Sequence, residues 1–348
     1  MGMGILNGIG NFFGLDIGTS AIRLVELRPS PKGPQLVNYA LVPIDSKLML
    51  SDSPADRNKV ALIIKQLVQQ AKPSTKNVAV NLPSSRVFTT IVDMDKLAPD
   101  ELAKSIKYQA DTLIPTPLES SKLDWALLGA SPVDQNKVEV LVSSINNSYI
   151  ETTLDLLENI GLNVIAFEPE AIALSRALVP FNELKPQIIL DIGAISSDLV
   201  ISMNGGPRLI RSIPIGNEAL LRSVSENLNV DLNQAQQFIF KFGLMKDKVE
   251  GQVYNSLLLA AENLFAEIEK SIKFFQNRYK NVPLEKFYVT GSASSIPEFP
   301  LFIANKFGIK VEIGNAWSNI AIPENKRNDL MAVSNQFAVA AGLAERNQ

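Results

Sequence analysis

The 348-residue chain contains no cysteine and no histidine. Disulfides, thiol nucleophiles, Cys/His zinc sites and every histidine-based catalytic dyad or triad are thereby excluded. Acid–base chemistry is left to Asp, Glu, Lys, Tyr or water on a hard ion such as Mg2+. A basic excess is also missing: 33 Lys and Arg stand against 36 Asp and Glu, a formal charge of −3. Broad binding to nucleic acid or to anionic lipid is not expected of such a chain. No apolar run approaches the roughly 20 residues that cross a bilayer. The first thirteen residues, MGMGILNGIGNFF, lack a basic region, so a cleaved signal peptide is not expected and a cytoplasmic location is. Ile5, Leu6, Phe12 and Phe13 could form a weak interfacial anchor, but four glycines make this leader a poor helix and a frayed terminus is the simpler expectation.

What is present is enough apolar material for more than one core: 46% of residues are hydrophobic, and the length suggests two or more lobes. Alternation and turn residues predict strands over 13–17, 21–27 and 35–42, then a helix over 56–71 and a strand over 77–82. From residue 86 a strand (86–92), a helix (99–112), two strands (122–129, 137–144), a helix (147–159) and a strand (163–167) read as a βαββαβ insertion. The Ile114-Pro115-Thr116-Pro117 stretch ends its first helix. Strands over 187–192, 198–203 and 207–215 then repeat the opening meander. Helices over 217–227, 233–242 and 253–278, a strand (286–290), a helix (297–307), a strand (310–313) and a closing helix (335–346) complete an α/β chain.

The repeat carries the chemistry. Asp16-Ile17-Gly18-Thr19-Ser20 and Asp191-Ile192-Gly193-Ala194 lie 175 residues apart (Asp16 to Asp191), each after an apolar strand. Glycine permits a turn whose backbone N–H groups converge on a phosphate, and the hydroxyls of Thr19, Ser20 and Ser196 add donors. Asp16 and Asp191 would repel bare phosphate but can hold Mg2+ through water. One Asp-x-Gly alone is an ordinary turn. Two copies suggest the jaws of a clamp on one nucleotide.

In fixed order along the chain stand five segments: Leu15–Ser20, Glu168-Pro169-Glu170-Ala171-Ile172-Ala173-Leu174, Leu190–Gly193, Val289-Thr290-Gly291-Ser292-Ala293-Ser294 and Ala338-Val339-Ala340-Ala341-Gly342-Leu343-Ala344. The set resembles the signatures of actin, heat-shock chaperone ATPases and sugar kinases. The insertion resembles the FtsA/PilM branch. The run Ile106–Pro117 followed by Leu123-Asp124-Trp125 is similar to the PilM family in particular. The resemblance spans about residues 13–344 and implies an actin-like ATPase fold (ribonuclease H-like, duplicated lobes). Its expected parts are a first lobe (13–85), an inserted subdomain (86–168), a connecting helix (169–186), a second lobe (187–334) and a C-terminal connecting helix (335–348).

The same resemblance implies ATP and Mg2+ between the lobes. Gly18, Thr19, Ser20, Gly193, Ala194 and Ser196 would meet the phosphates, and Gly291, Ser292 and Ala293 the adenosine. Asp16 and Asp191 would serve the metal, and Glu168 would orient an attacking water. Relatives carry Ala-Glu-x-x-Lys where this chain has Ala235-Gln236-Gln237-Phe238-Ile239; both charges are lost, leaving Gln236 for a ribose hydroxyl. Slow or absent hydrolysis is therefore expected. The implied partner is the N-terminal cytoplasmic segment of a PilN-like inner-membrane protein of a type IV pilus or related secretion machine, lying in a groove beside residues 86–92 and 102–113. That makes membrane association indirect, at the inner membrane, and leaves room for self-association.

Two other functions fit the superfamily. A small-molecule kinase needs a catalytic Asp near a pocket in the first lobe; the candidates are Asp93 and Asp95, at a strand end in the inserted unit that reads as a solvated turn. An FtsA-like division scaffold usually ends in a basic amphipathic helix, whereas this chain reads Ala344-Glu345-Arg346-Asn347-Gln348.

Overall fold

The structure, a computed structural model, describes residues 10–31, 33–180 and 182–346. Elements follow in the order β1 (Phe13–Ile17), β2 (Ala21–Arg28), β3 (Gln35–Pro43), α1 (Ser46–Met49), α2 (Pro54–Ala71) and β4 (Asn77–Leu82). Then come β5 (Phe88–Asp95), α3 (Pro99–Leu113), β6 (Ser121–Ala130), β7 (Lys137–Asn146), α4 (Asn147–Glu158), β8 (Asn163–Pro169) and α5 (Glu170–Leu178). The remainder is β9 (Gln187–Ile192), β10 (Ser197–Met203), β11 (Gly206–Ile213), α6 (Asn217–Leu228), α7 (Leu232–Phe242), α8 (Gln252–Arg278), β12 (Lys286–Gly291), α9 (Phe299–Phe307), β13 (Lys310–Ile313), α10 (Arg327–Val333) and α11 (Ala338–Ala344).

Two five-stranded sheets have the same plan, β3-β2-β1-β4-β8 and β11-β10-β9-β12-β13. In each, three antiparallel strands form a meander and the last two strands run parallel to its first. The duplication expected from the sequence is thus a duplication of whole lobes. Each sheet buries alternate apolar residues under its own helices: Phe13, Leu15, Ile22 and Leu24 meet Val60, Ile64 and Leu67 of α2. In the second lobe, Ile188, Leu190, Leu199 and Ile201 meet Leu257, Leu264 and Ile268 of α8. Phe13 is fully buried, which removes it from any interfacial anchor; Ile5 and Leu6 lie outside the described residues.

The third sheet, β5-β7-β6, belongs to the insertion. α3 starts on Pro99 with Asp100 and Glu101 in its first turn and lays Leu102 and Ile106 onto Val140 and Val142. The expected βαββαβ unit is smaller than its sequence pattern. β8 pairs in parallel with β4, and Leu157 of α4 joins the first lobe's core. Only β5, α3, β6 and β7 stand apart; α4 and β8 complete the first lobe, because strand pairing decides membership and is invisible to local periodicity.

α5 and α11 cross between the lobes. α5 follows the first lobe but packs with Ile189 and Val200 of the second. α11 follows the second lobe but packs against β1 and β2 of the first. The small residues allow a close crossing: a Cβ on Gly342 would lie 2.0 Å from the Ala173 carbonyl oxygen, and one on Gly14 would lie 2.4 Å from that of Ala340. Gly342→Ala is expected to cost about 1–3 kcal/mol as the helices are pushed apart, read as a lower midpoint of urea unfolding.

The segment between β13 and α11 carries structure that its sequence did not announce. Trp317 and Phe337 meet at a tilt with ring centres 5.4 Å apart, and Tyr39 of β3 meets them edge-on at 6.4 and 5.9 Å. The tail of the second lobe is fastened to the first in this way.

Candidate functional site

Both Asp-Ile-Gly turns open into one interlobe cleft of about 810 Å³. Each turn closes on itself, Gly18 N donating to Ala21 O at 3.2 Å and Gly193 N to Ser196 O at 2.9 Å. A side chain at either glycine would press to 2.9 Å on that same carbonyl oxygen. The turn tips, Thr19–Ser20 and Ala194–Ile195, face the cleft. A third wall is Gly291, whose φ of +80° is open to glycine and whose Cβ would lie 2.3 Å from Ile192 O and 2.7 Å from Asp191 Oδ1. Asn335 fixes this turn, donating to Ser294 Oγ at 2.6 Å and Ser295 Oγ at 2.9 Å while its carbonyl accepts from Thr290 Oγ1 at 2.6 Å.

Hairpin register makes the two jaws chemically unequal. Asp16 lies opposite Arg23, and Asp191 lies opposite Asp198. The first jaw is an ion pair at 3.0 Å, and the second is two carboxylates. Glu170, the first residue of α5, adds a further acid, accepting from Asn81 Nδ2 at 2.7 Å and Ser84 N at 3.1 Å. Asn81 Oδ1 in turn accepts from Ile17 N at 2.7 Å.

Four carboxylates therefore share the cleft with the Arg23 guanidinium. Burial pushes Asp16 up while Arg23 opposes. Burial, with Asp198 and Asp16 close by, pushes Asp191 up to about 7. Glu170 is driven well above the usual carboxylate range by burial and then by Asp198 and Asp16. Burial raises Asp198 as well. Such a site gains from a cation, and an all-oxygen donor set suits Mg2+. Among the described residues no three acidic groups form a ready ligand cluster, so an ion here would keep several waters, as Mg2+ does.

Of the residues singled out from the sequence, Asp16, Gly18, Thr19, Ser20, Asp191, Gly193, Ala194, Ser196, Gly291 and Ser292 are brought together in the cleft. Three are not. Glu168 is buried behind it on β8, where Arg176 takes both oxygens at 2.6 and 3.0 Å and Arg346 takes Oε2 at 2.5 Å. The Glu168 carboxylate is thus the counter-ion of Arg176 and Arg346; the acid that enters the cleft is Glu170, two residues on. Gln236 is exposed on α7, outside the cleft lining. Ala293 is fully buried in the second lobe's core.

Sequence reasoning missed Glu170, Arg23, Asp198, Ser84 and Asn335. The first three were within reach. Glu170 stands in a quoted signature, and Arg23 and Asp198 follow their turns at the same distance from each Asp.

A second concavity, of about 1180 Å³, opens where the insertion joins the first lobe. Leu48, Met49, Val60 and Ile64, with Tyr149 and Thr152 of α4, line it together with Arg86, Ile145 and Asn146, where the chain enters and leaves the insertion. The Arg86 guanidinium lies 5.9 Å from the Tyr149 ring centre. α3, expected to line a partner groove, does not reach this one.

Comparison with known proteins follows the same outline. The family described as type IV pilus assembly protein PilM matches residues 14–348. A solved structure described as the PilM–PilN type IV pilus biogenesis complex is 25% identical, with TM-score 0.82 over 97% of this chain and 98% of that one. The ethanolamine utilization protein EutJ of Carboxydothermus hydrogenoformans is 14% identical, with TM-score 0.55 over 96% of this chain and 89% of its own. MreB5 of Spiroplasma citri, bound to AMPPNP, is 13% identical, with TM-score 0.54 over 96% and 95%. The last two share the actin-like fold. With two lobes of one plan, an insertion after β4 and a family match over nearly its whole length, the chain belongs to the type IV pilus assembly protein PilM family.

Proposed function

We propose that this chain is a nucleotide-binding assembly protein of the pilus machinery that holds the N-terminal segment of a PilN-like membrane protein. The observation that carries the nucleotide is the pair of matched hairpins presenting Asp16 and Asp191 to one cleft. Gly18, Thr19, Ser20, Gly193, Ala194 and Ser196 would meet the phosphates, and Arg23 would add a positive charge that the second hairpin, with Asp198 at the equivalent position, lacks. Gly291 and Ser292 would face the nucleoside. Asp16 and Asp191 would hold Mg2+ through water, and the ion would relieve the repulsion among the acids.

Glu170 replaces Glu168 as the group that would orient water. Burial and its acidic neighbours push its carboxyl well above the usual carboxylate range, which favours the proton-bearing form over the one that would accept a proton from water, and so a bound nucleotide over turnover. Peptide binding is assigned to the groove of Met49, Ile64, Arg86 and Tyr149, on the boundary of the insertion. No helix among the described residues is long and apolar enough to cross a membrane, so attachment to the inner membrane would run through the partner. The lobe assignment follows the sheets: residues 13–82 and 147–169 for the first, 187–313 for the second, with α5 and α11 as connectors.

Calorimetric titration with Mg2+–ATP, and then with a synthetic peptide of the partner's cytoplasmic N-terminus, tests both halves. Met49→Glu is expected to weaken the peptide by about tenfold or more, as for a buried contact residue, with nucleotide affinity unchanged. Folded protein that binds neither ligand would refute the proposal.

A further inference from the structure

The insertion is joined by the chain to the first lobe, but its charged contacts are with the second. Asp93 of β5 and Glu139 of β7 are direct cross-strand neighbours, an unfavourable pairing of like charges unless cations intervene. The cations come from the far lobe. Arg278, the last residue of α8, donates to Asp93 Oδ1 at 2.8 Å and to Glu139 Oε1 at 2.8 and 3.1 Å. Tyr279 Oη donates to Glu139 Oε1 at 2.6 Å. Arg208 of β11 lies with Nε 3.2 Å from Glu139 Oε2.

The third strand of the insertion is engaged too. A register shift in β6 between Leu127 and Gly129 leaves Leu128 without a ladder partner, and its carbonyl accepts from Arg208 Nη2 at 2.7 Å. Glu139 and Arg208 are both more than nine-tenths buried, so this clasp is shielded from competing water. By contrast, the joint to the first lobe is a small cluster of Leu82, Val87 and Ile145, with Arg86 and Asn146 exposed beside it.

We propose that the insertion moves as one body with the second lobe, held by the Asp93–Glu139–Arg208–Arg278–Tyr279 clasp, so that lobe movement about α5 and α11 changes the groove between the insertion and the first lobe. This rests on the functional reading above and assigns its regulation: the cleft and the partner groove lie on the two seams of the first lobe, and one rigid body borders both. A nucleotide that draws the lobes together would then alter the peptide's site without touching it.

A cysteine-free chain is suited to the test, because two introduced cysteines carry the only labels. Spin labels at Leu62 of α2, Tyr108 of α3 and Leu301 of α9, all exposed, report the three bodies by pulsed dipolar distances. In the ligand-free protein the Tyr108–Leu301 distribution is expected to be narrower than Leu62–Tyr108. Arg278→Ala should broaden Tyr108–Leu301 to at least the width of the other pair. Should that variant not fold, Asp93→Asn, which leaves Glu139 paired, carries the same test with a smaller broadening. Mg2+–AMPPNP should shift Leu62–Tyr108 and leave Tyr108–Leu301 in place. Equal widths for Tyr108–Leu301 in native and variant protein, or a nucleotide shift in that pair alone, would overturn the proposal. If calorimetry shows no nucleotide binding, the functional reading fails, and the ligand-free widths still decide the clasp.

Discussion

Asp191→Asn is expected to make the ligand-free protein more stable than the native one, and to lose most of the stabilisation that Mg2+–ATP confers. The gain follows from proton linkage. The Asp191 carboxyl is held at about 7, above its ordinary 3.8, by burial and by Asp198 and Asp16. Between those values the folded chain keeps a proton that the unfolded chain releases. Stability from this group is therefore full below about pH 4 and declines as the pH rises to 7. A shift from 3.8 to 7 at about 1.4 kcal/mol per pH unit bounds the penalty near 4 kcal/mol. Water reaching the partly exposed residue lowers the expected gain to about 1–2 kcal/mol. Urea unfolding at pH 8 should show it, and at pH 4 the variant and native curves should converge.

The loss follows from the same charge. A ligand at a hundred times its dissociation constant stabilises a fold by about 2.7 kcal/mol. An amide cannot anchor the waters of Mg2+ as a carboxylate does, so the thermal shift with Mg2+–ATP should largely vanish in Asp191→Asn. A variant as strongly stabilised by Mg2+–ATP as the native chain would remove Asp191 from the metal's surroundings. Equal stability of the two ligand-free proteins at pH 8 would show that the clustered acids carry no strain.

What could be read from residues alone divides along physical lines. The paired hairpins were legible because turn chemistry and strand alternation are local; the close crossing at Gly342 was less so, because a run of alanine and glycine suits an ordinary buried helix equally well. The exchange of Glu168 for Glu170 was not legible. The two stand either side of Pro169, where β8 gives way to α5, and the junction sends one carboxylate to Arg176 and the other to Asn81. Neither strand nor helix periodicity holds across such a boundary. α4 and β8 were misplaced because β4, which claims β8, lies some eighty residues earlier. Asp93, which reads as a solvated turn acid, meets Arg278 at a separation of 185 residues. The Trp317–Phe337 segment has little periodicity because short turns and contacts with Tyr39 hold it.

Glu139→Ala should be the most destabilising single change in the molecule's charged interior, at about 3–5 kcal/mol, the usual cost of removing one partner of a buried pair. Arg208, with its side chain 2% exposed, would keep its charge and lose the carboxylate beside it. The Tyr279 hydroxyl, which burial and Glu139 hold protonated well above its ordinary range, would lose its acceptor, and Arg278 would be left with Asp93 alone. Against a typical total of about 5–15 kcal/mol, the loss should appear as a large fall in the urea midpoint. The double variant Glu139→Leu/Arg208→Met separates charge from packing. It removes both ions, replaces them with apolar groups of similar reach and should recover much of the stability, since desolvating two charges offsets most of what their attraction returns. Recovery of stability without recovery of the narrow Tyr108–Leu301 distance would mean that apolar contact can hold the insertion in place, whereas the charged clasp is what orients it. Full recovery of both would make the Glu139–Arg208 pair dispensable and leave the Arg278–Asp93 ion pair, with the apolar packing of Leu128 beside Gly206, as the features that tie the insertion to the second lobe.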